Sequence, residues 1–421
     1  METFILPYKK RAVILALGAE SSGNFSVFKD SKIYFSEDLG DLLEEANWTR
    51  YQKAVFEYLK KNKIKPQIIL TDLHPLYKTT AWGEELAKKF GAKLIQIQHH
   101  HAHIFSAIGD KILHNTFYLL PSTFYGIAMD GTGFGVDEKI WGGEIFRVES
   151  RQSKVKSIER IGHLENQIMI GGDLAVREPA RMLIGILYKI SCHPELVSGS
   201  NSNSEMPKQV RHDKQKKDSI YPFVKKYYTK NQFELIYNQL QQNFNCLETS
   251  STGRVLDAIS LLLDFCENKR NYKHEPIDLL EKNSTLPYSN LKPKIIFNNK
   301  EKKYILSSSH LFRYLLKNIK KDESLPADEA GRLASTAQLY IAEGLYEILS
   351  KCHPEQILGS KNKIEMPKQV RHDNFFISGG LANNKIISEY LISKGAYTSK
   401  IIPRGDAGLS FGQIIYYLLG K

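Results

Sequence analysis

The sequence predicts an α/β fold made of two related halves, and three observations support this prediction. The 421 residues are 42% hydrophobic and 25% charged, which is an ordinary composition for a globular protein with a large core. Three predicted strands, followed by alternating helices and strands, fill the first part of the chain. A second set of three strands, again followed by helices, begins at residue 124. This repetition favours two α/β halves around a cleft, where ligands commonly bind.

Hydrophobic periodicity predicts the elements of the first half. A buried strand over 12–19 that enters a turn at Gly18 is favoured over a short signal peptide, which the basic and then apolar start of the chain also imitates. The other strands of this half are predicted over 24–28, 32–36, 67–75 and 93–98. Its helices are predicted over 44–62, 78–90 and from His99 onward.

The second half is predicted from the same patterns. A tight turn is expected over 131–135. The strands are expected over 124–130, 140–148, 154–163, 374–380 and 398–402. The helices are expected over 173–190, 219–243, 252–266, 329–350, 383–394 and from Gly408.

Composition excludes several classes of protein. No run approaches the ~20 apolar residues of a membrane helix, so no membrane partner is expected. Four cysteines without a CxxC pair exclude a disulfide scaffold and a Cys₄ zinc ribbon, and reduced thiols favour a cytoplasmic protein. The formal net charge of +12 suggests an anionic partner, either nucleic acid or nucleotide. The lysines are scattered, however, which favours diffuse solvated charge over a binding surface.

Residues 192–213 and 352–373 form an internal repeat that agrees at 15 of 22 positions without a gap. Each copy contains one cysteine and two histidines, but both copies are polar, contain proline and lie between predicted elements. The flanking sequence does not repeat, as it would in a structural repeat. We therefore interpret 192–217 and 352–373 as tolerated surface insertions rather than as metal sites.

The run His99-His100-His101-Ala102-His103 directly follows a predicted strand. On a helix, His99 and His103 are i and i+4, so they share one face with Cβ atoms about 6 Å apart, which suits one metal ion. Imidazole nitrogen suits zinc or iron(II), whereas the absence of an HExxH pattern disfavours a zinc protease. Polar cap and surface histidines are the alternative interpretation.

A carboxylate and a Gly/Thr segment follow the apolar strand that begins the second half. Asp130 suits a metal such as magnesium. The backbone N–H groups and the hydroxyl of the following segment suit a phosphate group. That segment consists of Gly131, Thr132 and Gly133. A plain hairpin turn is the alternative interpretation.

Two further segments near the end of the chain join a predicted strand to a helix. Gly379 and Gly380, followed by Asn383, would let a nucleotide approach the backbone at a helix N-terminus, and a simple β–α connection with an asparagine cap is the alternative. Asp406 precedes the last helix and is either an N-cap or a distant metal ligand.

Charged residues at two other predicted helix starts are candidate ligand contacts. Arg177 and Arg181 suit a carboxylate or a phosphate, although ion pairing with Glu178 is the simpler interpretation. Asp257 suits a ribose hydroxyl or magnesium, and a solvated helix residue is its alternative.

Ten segments in this order together resemble one family closely. A single one of them is a weak signal, but the ordered set is specific and runs from about residue 10 to the end, outside the two insertions. The segments are GAE, GDL, DLHPLY, QHHHAHI, DGTGFG, WGGE, GGDLAVREPAR, SSTGR, SGGLAN and PRGDAGLSFGQ. They resemble the C-terminal catalytic module of the HypF hydrogenase-maturation carbamoyltransferases.

The resemblance implies an actin-like, sugar-kinase-like ATPase fold with two RNase-H-like halves, here 10–120 and 121–421. It also implies a metal-dependent carbamoyltransferase that uses ATP or a carbamoyl-adenylate. One divalent metal, iron or zinc, would be held by His99, His103, Asp130 and Asp406. The nucleotide would be lined by Gly131, Thr132, Gly133, Gly379, Gly380 and Asn383, with Asp257 near the ribose. Substrate contacts would come from Arg177 and Arg181.

In this family the metal polarises the carbamoyl carbonyl while a nucleophile attacks and AMP leaves. The acceptor is the C-terminal cysteine thiolate of a partner protein. The acylphosphatase, zinc-finger and YrdC-like segments of the full family protein are not found in this sequence, so a separate protein is expected to make the carbamoyl-adenylate. The lysine that usually follows GAE in this family is absent from the run Gly18 to Asn24, so the resemblance implies the loss of one phosphate contact.

Two alternatives to this function stay open. The related tRNA threonylcarbamoyl transferases and antibiotic O-carbamoyltransferases suggest tRNA or a small-molecule hydroxyl as acceptor. The positive charge favours RNA, whereas HHHAH in place of the expected HxEGH disfavours it. The second alternative is a degenerate remnant that binds nucleotide without catalysis.

Overall fold

The computed structural model describes residues 2–8, 10–115, 120–192, 215–319, 325–352 and 375–420. They divide into two compact units. The first unit comprises Met1–His163, Glu301–Lys303 and Leu345–Lys421, and the second comprises Leu164–Lys300 and Tyr304–Gly344. Because the first unit contains both ends of the chain, residues that are far apart in sequence share one core.

The elements are numbered in chain order. The strands are β1 (Glu2–Ile5), β2 (Ile14–Ala16), β3 (Ser26–Lys29), β4 (Lys32–Phe35), β5 (Ile68–Asp72), β6 (Lys93–Ile97), β7 (Thr123–Phe134), β8 (Ile140–Arg151), β9 (Lys154–Leu164), β10 (Gln167–Ile170), β11 (Cys246–Thr249), β12 (Ile295–Asn298), β13 (Lys303–Leu306) and β14 (Phe375–Ser378). The α-helices are α1 (Glu45–Lys61), α2 (Lys78–Phe90), α3 (His99–His114), α4 (Leu174–Arg177), α5 (Pro179–Cys192), α6 (Lys230–Gln241), α7 (Thr252–Leu262), α8 (Glu275–Lys282), α9 (Ser308–Asn318), α10 (Ala327–Lys351), α11 (Lys385–Ser393) and α12 (Leu409–Gly420).

The first sheet has the strand order β1-β4-β3-β2-β5-β6. Strands β2, β5 and β6 are parallel, β3 is antiparallel to β2, and β4 pairs antiparallel with β3. The predicted strand at the start of the chain is confirmed, because β2 is fully buried at the centre of this sheet. Edge strand β1 was not predicted, since its short segment is largely exposed and has no apolar alternation. Because β5 and β6 are parallel neighbours, their carboxyl ends lie side by side.

The second sheet of the first unit pairs β9 with β8, β8 with β7, and β7 with β14. The predicted tight turn over 131–135 is wrong, because β7 continues to Phe134 with an irregular register between Met129 and Gly133. The predicted strand over 398–402 is also wrong. A single bridge joins Phe376 to Tyr397, and the segment that follows makes no ladder.

Helices α3 and α12 pack at very short distance in the first unit. A Cβ at Gly412 would lie 1.9 Å from the carbonyl oxygen of Ala102, and a Cβ at Gly109 would lie 2.5 Å from the ring of Phe411. Only glycine permits this approach at either position. The packing brings the start of α12 beside the first turns of α3, within a core that includes Phe105.

The second unit is mainly helical, and α5 packs on α7 and β10. The helix predicted over 173–190 is interrupted, because Pro179 starts α5 and disfavours a helical conformation of the preceding Glu178. The helix predicted over 219–243 is likewise divided into a 3₁₀ turn (Tyr221–Phe223) and α6, which begins at a capping box on Thr229.

Some predictions fall outside the described residues. Residues 193–214 and 353–374 contain almost all of the two interpreted insertions, which stay a prediction, as do the subdomain limits 10–120 and 121–421. Within the described part of the chain, no helix is both long and apolar enough to cross a membrane.

Candidate metal centre

Helix α3 places two histidines on one buried face. The side chain of Gln98 caps its start by accepting a hydrogen bond from the backbone N–H of His101 at 3.0 Å, and it also donates to the carbonyl of Phe134 at 3.1 Å. The rings of His99 and His103, one turn apart, have centroids 4.8 Å apart and are almost completely buried. The i, i+4 spacing of the sequence therefore becomes a pair of converging imidazoles.

Two carboxylates from other parts of the chain meet this pair. Asp130 belongs to the irregular part of β7, and its Oδ2 lies 3.2 Å from His99 Nε2 and 4.0 Å from His103 Nε2. Asp406 starts a 3₁₀ turn before α12, and its Oδ1 lies 3.6 Å from His99 Nε2 and 3.4 Å from His103 Nε2. One donor atom from each of the four residues lies within 4.8 Å of all the others.

Sequence reasoning missed two polar residues that contact this group. Asp72 Oδ2 lies 2.7 Å from His99 Nδ1, and both side chains are buried. The Ser21 hydroxyl donates a hydrogen bond to Asp406 Oδ2. A signal for Asp72 was present, because it ends β5 and His99 follows β6, and the carboxyl ends of neighbouring parallel strands lie together.

Electrostatic interactions in the group favour a positive charge. Burial lowers the pKa of His99, but the Asp72 carboxylate and hydrogen bonds with Asp130, Asp406 and Asp72 outweigh it, so this pKa lies well above 6.5. Burial and the Asp406 charge raise the pKa of Asp130, yet the hydrogen bond from His99 and the charges of both histidines bring it below its usual range. The neighbouring His100 is different, because burial and the His99 charge lower its pKa to about 3.

The donor set fits a divalent metal ion. Neither ring nitrogen of His103 has a hydrogen-bond partner among the described residues, although the side chain is fully buried. A buried polar group without a partner is rare, and a ligand at Nε2 would satisfy it. Two imidazoles and two carboxylates suit zinc or iron(II), and binding would displace the proton that His99 otherwise holds.

The two glycine-rich segments lie beside Asp130. Gly379 has a φ of +100°, and a Cβ there would lie 2.1 Å from the carbonyl oxygen of Met129. A Cβ at Gly380 would lie 3.4 Å from Asp130 Oδ1, so the backbone passes close to this carboxylate. The Asn383 side chain, which is exposed, donates to the Gly380 carbonyl at 3.2 Å.

The predicted phosphate-binding residues Gly131, Thr132 and Gly133 follow Asp130 along β7. A Cβ at Gly133 would lie 2.4 Å from the ring of His100 and 2.9 Å from that of His99, so the strand lies directly against the histidine run. The structure thus brings both glycine-rich segments to the same four-residue group.

Three other predicted site residues belong to the second unit. Asp257 is fully buried, and its Oδ2 accepts hydrogen bonds from Arg254 and Arg270. Arg181 Nε donates to Glu178 at 2.7 Å, the ion pair that the sequence made the simpler interpretation. Arg177 is exposed at the end of α4. Asp257 is thus a buried ion-pair residue, not the solvated helix residue that was its alternative.

Two models of known protein families together match almost the whole chain. Residues 9–110 match the model described as "HypF Kae1-like domain", and residues 126–413 match "Carbamoyltransferase, Kae1-like Domain, second subdomain". The chain belongs to the HypF family. This result confirms the resemblance predicted from the ordered motifs.

Relatives of the HypF family match over nearly all of this chain. A probable carbamoyltransferase HypF of Methanocaldococcus jannaschii is 32% identical over 96% of this chain and 46% of its own length. Carbamoyltransferase HypF of Rhodobacter capsulatus is 24% identical over the same 96% and 46%. The chain therefore spans about half the length of the relatives it matches.

Solved structures confirm the predicted actin-like ATPase fold. HypF of T. kodakarensis is 28% identical and superposes with a TM-score of 0.73 over 99% of this chain and 48% of that one. A full-length HypF crystallised in a phosphate- and nucleotide-bound form is 22% identical, with a TM-score of 0.74 over 99% of this chain and 47% of that one.

Proposed function

We propose that this chain is a carbamoyl-transfer domain that uses a carbamoyl-adenylate at a centre holding one divalent metal. The convergence of His99, His103, Asp130 and Asp406 within 4.8 Å carries the proposal. The relatives named carbamoyltransferase HypF support the reaction class. Maturation of nickel–iron hydrogenase, which the resemblance of the ordered motifs implies, is the pathway that we propose.

The four residues have distinct roles in this proposal. His99 and His103 bind through Nε2 as neutral imidazoles, and Asp130 and Asp406 supply two negative charges that balance the ion. Asp72 accepts a hydrogen bond from the Nδ1–H group of His99, which keeps the proton on Nδ1 and leaves Nε2 available. When bound, iron or zinc polarises the carbamoyl carbonyl and stabilises negative charge on its oxygen.

The glycine-rich segments are proposed to hold the nucleotide. Gly380 lies beside Asp130, since a Cβ there would be 3.4 Å from its Oδ1, and the backbone N–H groups of such a segment suit a phosphate group. The nucleotide-bound form of a full-length HypF supports a nucleotide as the ligand, which we propose to be ATP or a carbamoyl-adenylate. Asp257, Arg177 and Arg181 belong to the second unit, and their predicted ligand contacts stay a prediction. The nucleotide segments are Gly131, Thr132, Gly133, Gly379, Gly380 and Asn383.

Transfer requires a donor and an acceptor from outside these 421 residues. A separate protein is proposed to make the carbamoyl-adenylate. The acceptor is proposed to be a partner protein with a C-terminal cysteine, whose reduced thiol fits the cytoplasm. Its thiolate attacks the carbamoyl carbon, the S–C bond forms, and the bond to the phosphate oxygen breaks so that AMP leaves with the electron pair.

Metal binding is tested with a matched pair of substitutions in the histidine run. Zn²⁺ or Fe²⁺ is titrated into chelator-treated protein in competition with a chromophoric chelator. We expect one equivalent to bind the unsubstituted chain and His101→Gln, and His103→Gln to lose more than about 100-fold in affinity, beyond the range for outer-shell partners. Equal affinity in all three proteins would overturn the metal centre.

Transfer is tested with the complete chain, an enzymatic source of carbamoyl-adenylate and a peptide that ends in cysteine. AMP release and thiocarbamate formation that depend on His103 are expected. Thermal stabilisation by ATP without AMP release would identify a nucleotide-binding remnant instead. Salt-sensitive binding of tRNA would redirect the proposal to an RNA acceptor.

A further inference from the structure

A fully buried carboxylate on α3 holds the segment that leads to Asp406. Asp110 accepts hydrogen bonds from the backbone N–H groups of Lys400 at 3.0 Å, Ile401 at 2.8 Å and Ile402 at 2.8 Å. It also accepts one from the Tyr397 hydroxyl at 2.7 Å. Four donors thus converge on one side chain that has no exposed surface.

These bonds replace a strand ladder. Residues 398–402 carry β-branched and apolar residues, but they form no strand, so no sheet partner accepts their consecutive N–H groups. Buried or half-buried N–H groups need an acceptor. The Asp110 carboxylate supplies it, and in doing so it fixes the path of the backbone four residues before Asp406.

The same helix carries the two histidines. Asp110 lies two turns after His103, about 10 Å along the axis at 1.5 Å per residue. One rigid helix therefore presents His99 and His103 and also anchors the loop that delivers Asp406. The close packing of α12 at Gly412 fixes the other side of this loop.

We infer that Asp110 is a positioning residue for the metal ligand Asp406. This inference rests on the proposed metal centre. Asp110 is not itself a ligand, because the four donors that face one another do not include it. Charge-assisted hydrogen bonds from three successive N–H groups to Asp110 hold Asp406 Oδ1 near Nε2 of both His99 and His103. Neutralising the Asp110 carboxylate would let the loop shift.

The inference predicts coupling between Asp110 and Asp406. Asp110→Asn should lower Zn²⁺ affinity by about 10- to 100-fold in the natural background, the range for outer-shell partners. It should have little further effect in an Asp406→Ala background, because the ligand it positions is already absent. Glu165→Gln is the matched control, since it also neutralises a carboxylate that accepts a backbone N–H, but in the second unit.

A spectroscopic readout separates positioning from general stabilisation. Co²⁺ bound to Asp110→Asn should show d–d absorption altered toward that of Asp406→Ala, whereas Glu165→Gln should leave the spectrum unchanged. If Asp110→Asn does not fold, Tyr397→Phe removes one of the four bonds and keeps the ring. It should weaken Zn²⁺ binding at least about twofold, again only when Asp406 is present.

The outcomes distinguish the two proposals. No Zn²⁺ binding by the unsubstituted chain overturns the metal centre itself. Tight binding that Asp110→Asn and Tyr397→Phe leave unchanged, or weaken equally with and without Asp406, overturns the role of Asp110 and leaves the metal centre intact.

Discussion

Replacing Asp72 by asparagine tests how the proposed metal centre selects the tautomer of His99. Asp72 Oδ1 accepts the N–H of His74 at 2.9 Å, and Oδ2 lies 2.7 Å from His99 Nδ1. An asparagine keeps the first contact with its oxygen and turns its NH₂ group toward the imidazole. The ring would then accept at Nδ1 and carry its proton at Nε2, the atom that must bind the metal.

The expected cost follows from this change of tautomer. A partner of this kind is worth about 10- to 100-fold in metal affinity, or about 1.4–2.7 kcal/mol. Because both side chains are buried, solvent does not screen the contact, and we expect the upper part of that range for Asp72→Asn. Among the four proposed ligands, Asp72 has a hydrogen bond with His99, so we expect the effect to act through that imidazole.

Competition titration of Zn²⁺ at pH 7 against a chromophoric chelator measures the change. Asp30→Asn is the control, because Asp30 lies in the exposed turn of the β3–β4 hairpin with a φ of 51°, which asparagine adopts readily. A loss of affinity below twofold for Asp72→Asn, with normal folding, would refute the tautomer argument. An equal loss for Asp30→Asn would show that charge alone is responsible.

Three further predictions concern stability. The pKa of His99 is raised in the folded state. The stability that its charged imidazole adds to the fold is therefore complete below pH 6.5 and is lost as pH rises through the folded-state pKa. The Tm of chelator-treated protein should therefore fall across that interval, and His99→Gln should flatten the fall. Gly412→Ala should separate α12 from α3 and lower both the free energy of unfolding in urea and Zn²⁺ affinity, because its Cβ would lie 1.9 Å from Ala102 O. Arg160→Ala should cost about 3–5 kcal/mol by calorimetry, since it leaves Glu144 buried without its guanidinium partner.

The local parts of the fold were predictable because they depend on neighbouring residues. Helical periodicity of the buried residues and the stop at Gly91 define α2, and the histidine spacing defines the face that α3 buries. Errors arose where tertiary contacts override local preference. The Gly/Thr segment after Asp130 has the composition of a turn, yet pairing with β8 extends it as a bulged strand.

The segment over 398–402 shows the opposite error. Its composition is typical of a strand, but Asp110 takes the N–H groups that a ladder would use. Nothing in the local sequence reports that a carboxylate almost 300 residues earlier is available. An aspartate on the buried face of an apolar helix is in principle a signal that polar groups from elsewhere in the chain contact it, since a buried carboxylate needs partners.

The candidate site follows the same division between local and distant information. The pairing of His99 with His103 is a property of five consecutive residues, whereas Asp406 reaches them only after β2, α3 and α12 have packed. The reciprocal hydrogen bonds between the Gln413 side chain and the backbone of Gly18, at 3.0 and 3.2 Å, hold α12 to the end of β2. The four donors therefore come together only when both ends of the first unit are folded, so metal binding and the stability of this unit must be thermodynamically linked.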